Sequence, residues 1–273
     1  MVARLPKLIA TDLDGTLLGR DGTVSARTLR ALRTVVEAGA DVVVVTARPP
    51  RYVDALAAAT GLGGTAICSN GALVYDLTSR TVIHSRPLAV SAARTVATVL
   101  SRAVPGIGFA VEAGLRVHYE PAYTMRHPGD REAEFAVPSV AHLWAVESPI
   151  VKLLAHSAEH EADFLLTVSE RHAAGHAHFT HSGGRGLLEI SAPGVTKADT
   201  LSALCATRGI GADDVVAFGD MPNDLAILKW AGSGYAMANA HPSVRAAVPR
   251  HTVSNEEDGV ALVLEDLFNA PGA

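Results

Sequence analysis

Positive charge is not in excess in this 273-residue chain. Its 23 Lys and Arg face 28 Asp and Glu, for a net charge of −5. That is the reverse of the basic footprint of a general nucleic-acid binder. Cysteine is scarce as well. Cys68 and Cys205 both lie in apolar patterns and read as small buried hydrophobes, so a disulfide scaffold and a zinc–cysteine module are excluded. No apolar run approaches the ~20 residues of a membrane span. The longest valine run, 42–45, stops at Thr46. Near the start, Lys7 and Asp12 bracket a short apolar run with no small-residue cleavage site, so no secretory leader is expected. Aromatic residues make up only 5%, yet hydrophobic residues make up 48%, too many for a disordered chain. The expectation is a soluble, cytoplasmic protein without nucleic-acid or membrane partners. Its length suits one large domain or two, and nothing in the sequence fixes its oligomeric state.

What is present is an alternation of short apolar runs and helical patterns. Residues 8–10 read as a strand ending at Thr11 and Asp12. Residues 25–38 read as a helix with Ser25 as N-cap and Gly39 as its stop. A strand over 41–46, a helix over 49–60 and a strand over 65–69 follow, then a hairpin from 72–75 and 81–84. This β-α-β-α-β order predicts an α/β fold with a doubly wound parallel sheet. The rhythm changes from about Arg86 to Gly184. A helix (90–103), paired strands (107–111, 115–119), a loop holding Pro121, Pro128 and Pro138, a strand (149–155), a helix (159–172) and a strand (176–181) read as an α+β insertion. Ser182-Gly183-Gly184 reads as a return linker. The βα pattern then resumes with a strand over 187–190, helix 197–208, strand 214–218, helix 222–230 and strand 234–236. The tail from 269 to 273 reads as frayed. The expected domains are therefore a discontinuous core, 1–85 with 185–273, and an inserted α+β cap, 86–184.

Four segments carry the chemistry, each where an apolar strand meets a turn. In Asp12-Leu13-Asp14-Gly15-Thr16, two carboxylates at i and i+2 fall at the carboxyl edge of a parallel sheet, where α/β folds bind ligands. An Asx-turn would explain one Asp and Gly15, but not a second, repelling carboxylate. In Gly219-Asp220-Met221-Pro222-Asn223-Asp224, Asp220 and Asp224 stand one helical turn apart. Acids that merely complement a helix dipole would explain either alone. Four carboxylates at one edge call for a cation, and oxygen-only ligands suit Mg²⁺. Thr196 and Asp199 have capping-box-like spacing and put Lys197 in a first helical turn, against the helix dipole. A solvated lysine explains Lys197 equally well on that evidence. Thr46-Ala47-Arg48-Pro49 offers a hydroxyl, helix-start amides and a guanidinium for a phosphate, and Asn70-Gly71 closes the next strand in the same way.

Taken in order, Asp-x-Asp-Gly-Thr, a Thr at the second strand end, a Lys, and Gly-Asp-x-x-Asn-Asp resemble the haloacid dehalogenase superfamily of phosphohydrolases. The insertion stands where that superfamily carries a type C2 cap. Leu188-Glu189-Ile190 followed by Gly194-Val195-Thr196-Lys197 resembles its Cof-type (IIB) subfamily. Ala47 and Ala198 stand where Gly is common; both are small. The resemblance implies a Rossmann-like core and a set of roles. Asp12 would be the nucleophile, forming an aspartyl-phosphate, and Asp14 the general acid and base. Thr46, Arg48, Lys197 and Asn223 would bind the phosphate. Mg²⁺ would be held by Asp12, Asp14 (through its backbone carbonyl), Asp220 and Asp224, with Asn223 and Asp224 in support. An acid at Asp14 turns the reading towards phosphoester hydrolysis. The expected activity is Mg²⁺-dependent hydrolysis of small phosphorylated metabolites, sugar phosphates leading. A sugar phosphomutase and a non-catalytic phosphometabolite sensor are the rivals; the sensor would show a damaged motif, and none is damaged.

Other residues receive plainer readings. His172, His176, His178 and His181 cluster in sequence. His176, His178 and Thr180 alternate as one polar, solvent-facing side of a strand, with zinc binding or pH sensing as the lesser alternative. Lys152 reads as a solvated lysine, and Trp144 and Trp230 as packing residues.

Overall fold

The computed structural model describes residues 5–113, 115–125, 134–183 and 186–269. Gly184 of the expected return linker, Pro128 of the expected loop and the tail 270–273 lie outside them.

The first sheet has eight strands in the order β14-β13-β12-β1-β2-β3-β4-β5. β1 (Leu8–Thr11), β2 (Asp41–Val45), β3 (Thr65–Cys68), β12 (Val215–Gly219), β13 (Ser233–Ala236) and β14 (Arg250–His251) run parallel. β4 (Leu73–Asp76) and β5 (Thr81–Ser85) add the expected antiparallel hairpin at one edge. The central strands are apolar throughout because helices cover both faces; every residue of β1, β3 and β12 is buried. α1 (Ala26–Glu37) starts where predicted, its N-cap Ser25 accepting from the Thr28 amide. α2 (Pro50–Thr60) ends on Gly61, whose φ of 71° is left-handed. α6 (Lys197–Thr207), α7 (Leu225–Trp230), α8 (Pro242–Ala247) and α9 (Gly259–Asn269) complete the layer. One apolar core runs from Leu8 and Ile9 through Val43–Val45 and Ile67 to Phe218 and Leu264. Each such buried side chain contributes about 1.5–3 kcal/mol of transfer free energy.

A second sheet of six strands has the order β10-β11-β9-β6-β7-β8. It comprises β6 (Gly108–Ala113), β7 (Arg116–Tyr119), β8 (Glu134–Ala136), β9 (Ile150–His156), β10 (His178–Thr180) and β11 (Leu187–Ser191). α3 (Val90–Ala103), α5 (Ala162–Ala173) and the short α4 (Val140–Leu143) give it a separate core around Val96, Leu100, Phe109, Leu153 and Leu165. β8 and α4 fall in the stretch read from sequence as loop. Trp144 packs on this core and Trp230 on the first, as expected of packing residues. Cys68 and Cys205 are free and buried.

One strand changes sheet relative to the sequence reading. Residues 187–190 were expected to reopen the first sheet after a linker at 182–184. Instead β11 pairs antiparallel with β9 and β10, and the chain returns to the first sheet only beyond Ser191. The register explains this. Leu188 and Ile190 face the α3–α5 side, while Glu189 lies on the opposite face of the same sheet, where it meets the buried Lys152 of β9.

Candidate active site

Asp12 directly follows β1, and its amide donates to the Phe218 carbonyl of β12, so the two motif strands end side by side. Turning the chain there requires Gly15. Its φ is +74°, and a Cβ on it would lie 2.3 Å from Asp220 Oδ2. The Asp12, Asp220 and Asp224 carboxylates gather so that one oxygen from each lies within 4.8 Å of the others, and all three residues are buried. Asp224 is fixed by amides: its Oδ2 accepts from the backbone of Asp220 at 3.1 Å and of Met221 at 3.0 Å. Thr16 Oγ1 donates to Asp220 Oδ1 at 3.0 Å.

Lys197 is the first residue of α6, with Thr196 as N-cap accepting from the Asp199 amide. It is not a solvated lysine. The residue is 1% exposed, and its Nζ donates to Asp12 Oδ1 at 2.6 Å and Asp224 Oδ1 at 2.7 Å. Burial works against its charge, but the two carboxylates outweigh burial and raise its pKa above the ordinary value. Burial lifts the Asp12 carboxyl well above the usual carboxylate range; Lys197 pulls it down, while Asp224 and Asp220 push it up. Asp220 is pushed up to about 7, by burial first and then by Asp224. Three carboxylates, when all ionised, against one ammonium would carry a local charge of −2. Hard oxygen donors, this charge and the strained protonation of two acids are the conditions a divalent cation relieves. The residues therefore fit such an ion.

Asp14 is elsewhere. Its carboxylate does not join the buried group but opens, half-exposed, onto the cavity between the sheets. Arg48 grips it with both arms, Nε to Oδ2 at 2.7 Å and Nη2 to Oδ1. Such a fork–fork pair fixes the orientation of both groups. Thr46, fully buried after β2, accepts from the Arg48 amide at 3.1 Å. Asn223 donates to Asn70 Oδ1 at 3.0 Å, and its own buried Oδ1 has no hydrogen-bond partner. The Asn70-Gly71 turn is more than a strand closure. A Cβ on Gly71 would lie 2.2 Å from the Thr196 carbonyl, so the turn packs against the start of α6.

The sequence reading missed a charged network between the two sheets. Lys152, expected in solvent, is 3% exposed. Its Nζ donates to Glu189 Oε2 at 2.9 Å and to the Ala47 carbonyl at 2.7 Å, and lies 3.5 Å from Glu112 Oε2. Ser69 and Asn70, from the end of β3, donate to Glu112 and Glu189. Burial opposes the charge on Lys152, but Glu112 and Glu189 raise its pKa. The signal in the sequence was one cation inside the otherwise apolar 150–155. The His cluster also differs from its reading. His172 and His176 are exposed, but His178 is half-buried and Thr180 and His181 are buried, so this is not a solvent-facing strand side. His181 Nε2 pairs with Asp163 Oδ1 at 3.0 Å. Among the described residues, the metal-type group is the aspartate trio and not the histidines.

With this geometry in view, comparison with known proteins is decisive. The family model of haloacid dehalogenase-like hydrolases matches residues 9–264. The chain belongs to the haloacid dehalogenase-like hydrolases. It is 28% identical over 275 residues to the 5-amino-6-(5-phospho-D-ribitylamino)uracil phosphatase YitU of Bacillus subtilis, covering 97% of this chain and 98% of that one. It is also 28% identical to the pyridoxal phosphate phosphatase YbhA of Escherichia coli, covering 93% and 96%. A solved haloacid dehalogenase-like hydrolase from Bacteroides thetaiotaomicron superposes with a TM-score of 0.76 at 27% identity, over 96% of this chain and 99% of that one. As in the sequence reading, the α/β fold is that of the haloacid dehalogenase-like hydrolases. Among the described residues no helix is long and apolar enough to cross a membrane.

Proposed function

We propose that this haloacid dehalogenase-like hydrolase is a Mg²⁺-dependent phosphomonoester hydrolase acting on small phosphorylated metabolites through an aspartyl-phosphate on Asp12. The second sheet with its helices, about residues 86–191, acts as a cap over the site. The observation that carries the reading is the contrast between the two acids of the first motif. Asp12 is buried beside Lys197, Asp220 and Asp224, whereas Asp14 faces the cavity.

Asp12 and Asp14 divide the work. Asp12 Oδ1 is held by Lys197, and among the described residues Oδ2 has no hydrogen bond, so Oδ2 is the free nucleophile. It attacks phosphorus while the ester P–O bond breaks, and Asp14 delivers its proton to the departing oxygen. In the second half, Asp14 takes a proton from water as that water attacks phosphorus, releasing phosphate and restoring Asp12. Asp14 must part from Arg48 to move protons, and an entering phosphate offers the guanidinium another anion. Lys197 and Thr46 bind the phosphoryl oxygens and offset their growing charge. Asp12, Asp220 and Asp224, with the Asp14 main chain, would hold Mg²⁺, which when bound neutralises charge on phosphate and nucleophile. The test is phosphate release with and without Mg²⁺ across a panel of phosphate esters, with Asp12→Asn as control. Metal-dependent release that Asp12→Asn abolishes supports the reading. Silence across the panel in folded protein sinks it.

A further inference from the structure

The cavity between the two sheets measures about 530 Å³, within the ~300–1,000 Å³ range of sites for drug-sized ligands and more than a phosphoryl group alone fills. Its second-sheet wall is laid down in rows by strand register. Nearest the aspartates, Lys152 of β9 stands opposite Glu112 of β6, which stands opposite Val117 of β7. The next row out is Glu189, Leu154, Ala110 and Tyr119. Beyond these, Leu187, Tyr123 and Met125 join an apolar cluster with Val117 and Leu154. The wall is therefore polar beside the phosphate site and apolar farther away.

Hydrogen bonding among the three charged side chains of these rows is unequal. Lys152 spends its donors on the Ala47 carbonyl, Glu189 and Glu112. Both oxygens of Glu189 are taken, Oε2 by Lys152 and Asn70 and Oε1 by Ser182. Glu112 differs. Ser69 and Lys152 both engage Oε2, and Oε1 has no hydrogen bond within the described protein. The wall thus offers the cavity a carboxylate oxygen and no unused cation. Glu134, which also lines the cavity, adds a further negative charge, so on the second-sheet wall Glu112, Glu134 and Glu189 outnumber Lys152, the cavity's arginines, Arg48 and Arg51, lying on the side of the first sheet. A second anionic group on the substrate would meet like charge there, which disfavours it. A hydroxyl or N–H would meet an acceptor.

Resting on the phosphatase reading above, we propose that Glu112 selects the leaving group. The substrate is a monophosphate ester carrying hydroxyl or N–H donors close to the ester oxygen, a flat, weakly polar ring beyond them, and no second anionic group. The donors bond to Glu112 Oε1, and the ring lies on Leu154, Tyr119 and Leu187.

Three matched pairs of esters test this. Glycerol 3-phosphate and 3-phosphoglycerate differ only in a hydroxymethyl against a carboxylate. Ribose 5-phosphate and uridine 5′-monophosphate differ in the ring, as do ribitol 5-phosphate and flavin mononucleotide. The expected result is kcat/KM about 100-fold lower for the carboxylate ester than for its partner, reflecting like-charge repulsion. At least one ring-bearing ester should exceed its ringless partner about ten-fold, through KM. Glu112→Gln, which keeps an acceptor for Ser69, should shrink the carboxylate discrimination to about ten-fold or less. Equal turnover of the carboxylate pair, ringless esters matching both ring-bearing ones, or an unchanged ratio in folded Glu112→Gln would each overturn the proposal. The wild-type comparisons hold even where the variant does not fold. Failure of the phosphatase reading looks different: no Mg²⁺-dependent release from any ester, para-nitrophenyl phosphate included.

Discussion

Removing the metal should make this protein less stable as pH rises, and Asp220 sets the size of the effect. Its carboxyl titrates near 7 in the metal-free fold, against an ordinary 3.8. A folded-state pKa above the unfolded one means that the fold holds a proton which the unfolded chain releases. That contribution is fully present below about pH 3.8 and is lost as pH climbs to about 7. At 1.36 kcal/mol per unit, roughly three units correspond to on the order of 4 kcal/mol. Other acids titrate with the opposite sign; Glu189, held down by Lys152, is one. The clean comparison is therefore against Asp220→Asn, which keeps an acceptor for Thr16 but never ionises. Thermal melts in chelator should find the two proteins similar near pH 4. At pH 8 the variant should be the more stable, by up to about 10 °C for a chain of this size. Mg²⁺ at about 100 times its Kd should return roughly 2.7 kcal/mol to the wild type, and much less to Asp220→Asn. A metal-free wild type as stable as Asp220→Asn at pH 8 would refute the electrostatic account of the aspartate trio.

Three further substitutions follow from the geometry. Lys197→Met removes the single cation between Asp12 and Asp224 and should lower kcat about 10³-fold or more, measured as phosphate release, while Mg²⁺ binding by calorimetry persists because the site becomes more negative. Lys152→Met leaves Glu112 and Glu189 buried without their partner and should cost about 3–5 kcal/mol in denaturant melts; a neutral result would mean that solvent reaches these acids. Gly15→Ala places a methyl 2.3 Å from Asp220 Oδ2 at a left-handed φ, so Mg²⁺ affinity should fall together with stability.

How much was legible in the sequence follows from the range of each interaction. Asp12 and Asp220 announced themselves locally, as polar residues at the end of an apolar strand, whereas Lys197, just after a helix cap, read equally well as a solvated lysine until the order of the motifs gave it a role. The two aspartate signals need no knowledge of the distant chain. The same holds for the parallel order of β1, β2 and β3. Lys152, Glu112 and Glu189 lie 40 and 37 residues apart along the chain, and each is a lone charge in an apolar strand. In sequence Lys152 reads as solvated and the two acids give no sign of their pairing, because the partners that make burial tolerable appear only once β6, β9 and β11 are aligned. β11 was given to the wrong sheet for a related reason. An apolar strand after a glycine pair fits a parallel core as well as an antiparallel hairpin, and the pairing of Glu189 with Lys152 across sequence decides between them. Asp14 was expected among four carboxylates at one edge, but its side chain turns to the cavity, and its grip by Arg48 depends on how the turn after β2 folds back over the turn after β1.

The claim that Asp12 is the nucleophile can be met head-on by rapid acid quench during turnover, followed by proteolysis and mass spectrometry of the peptide that contains residues 8–20. The account predicts one phosphoryl group on Asp12, formed and lost at rates that match turnover, and none in Asp12→Asn. Phosphate release with Asp12 unmodified at every time point, or undiminished release by Asp12→Asn, would contradict it.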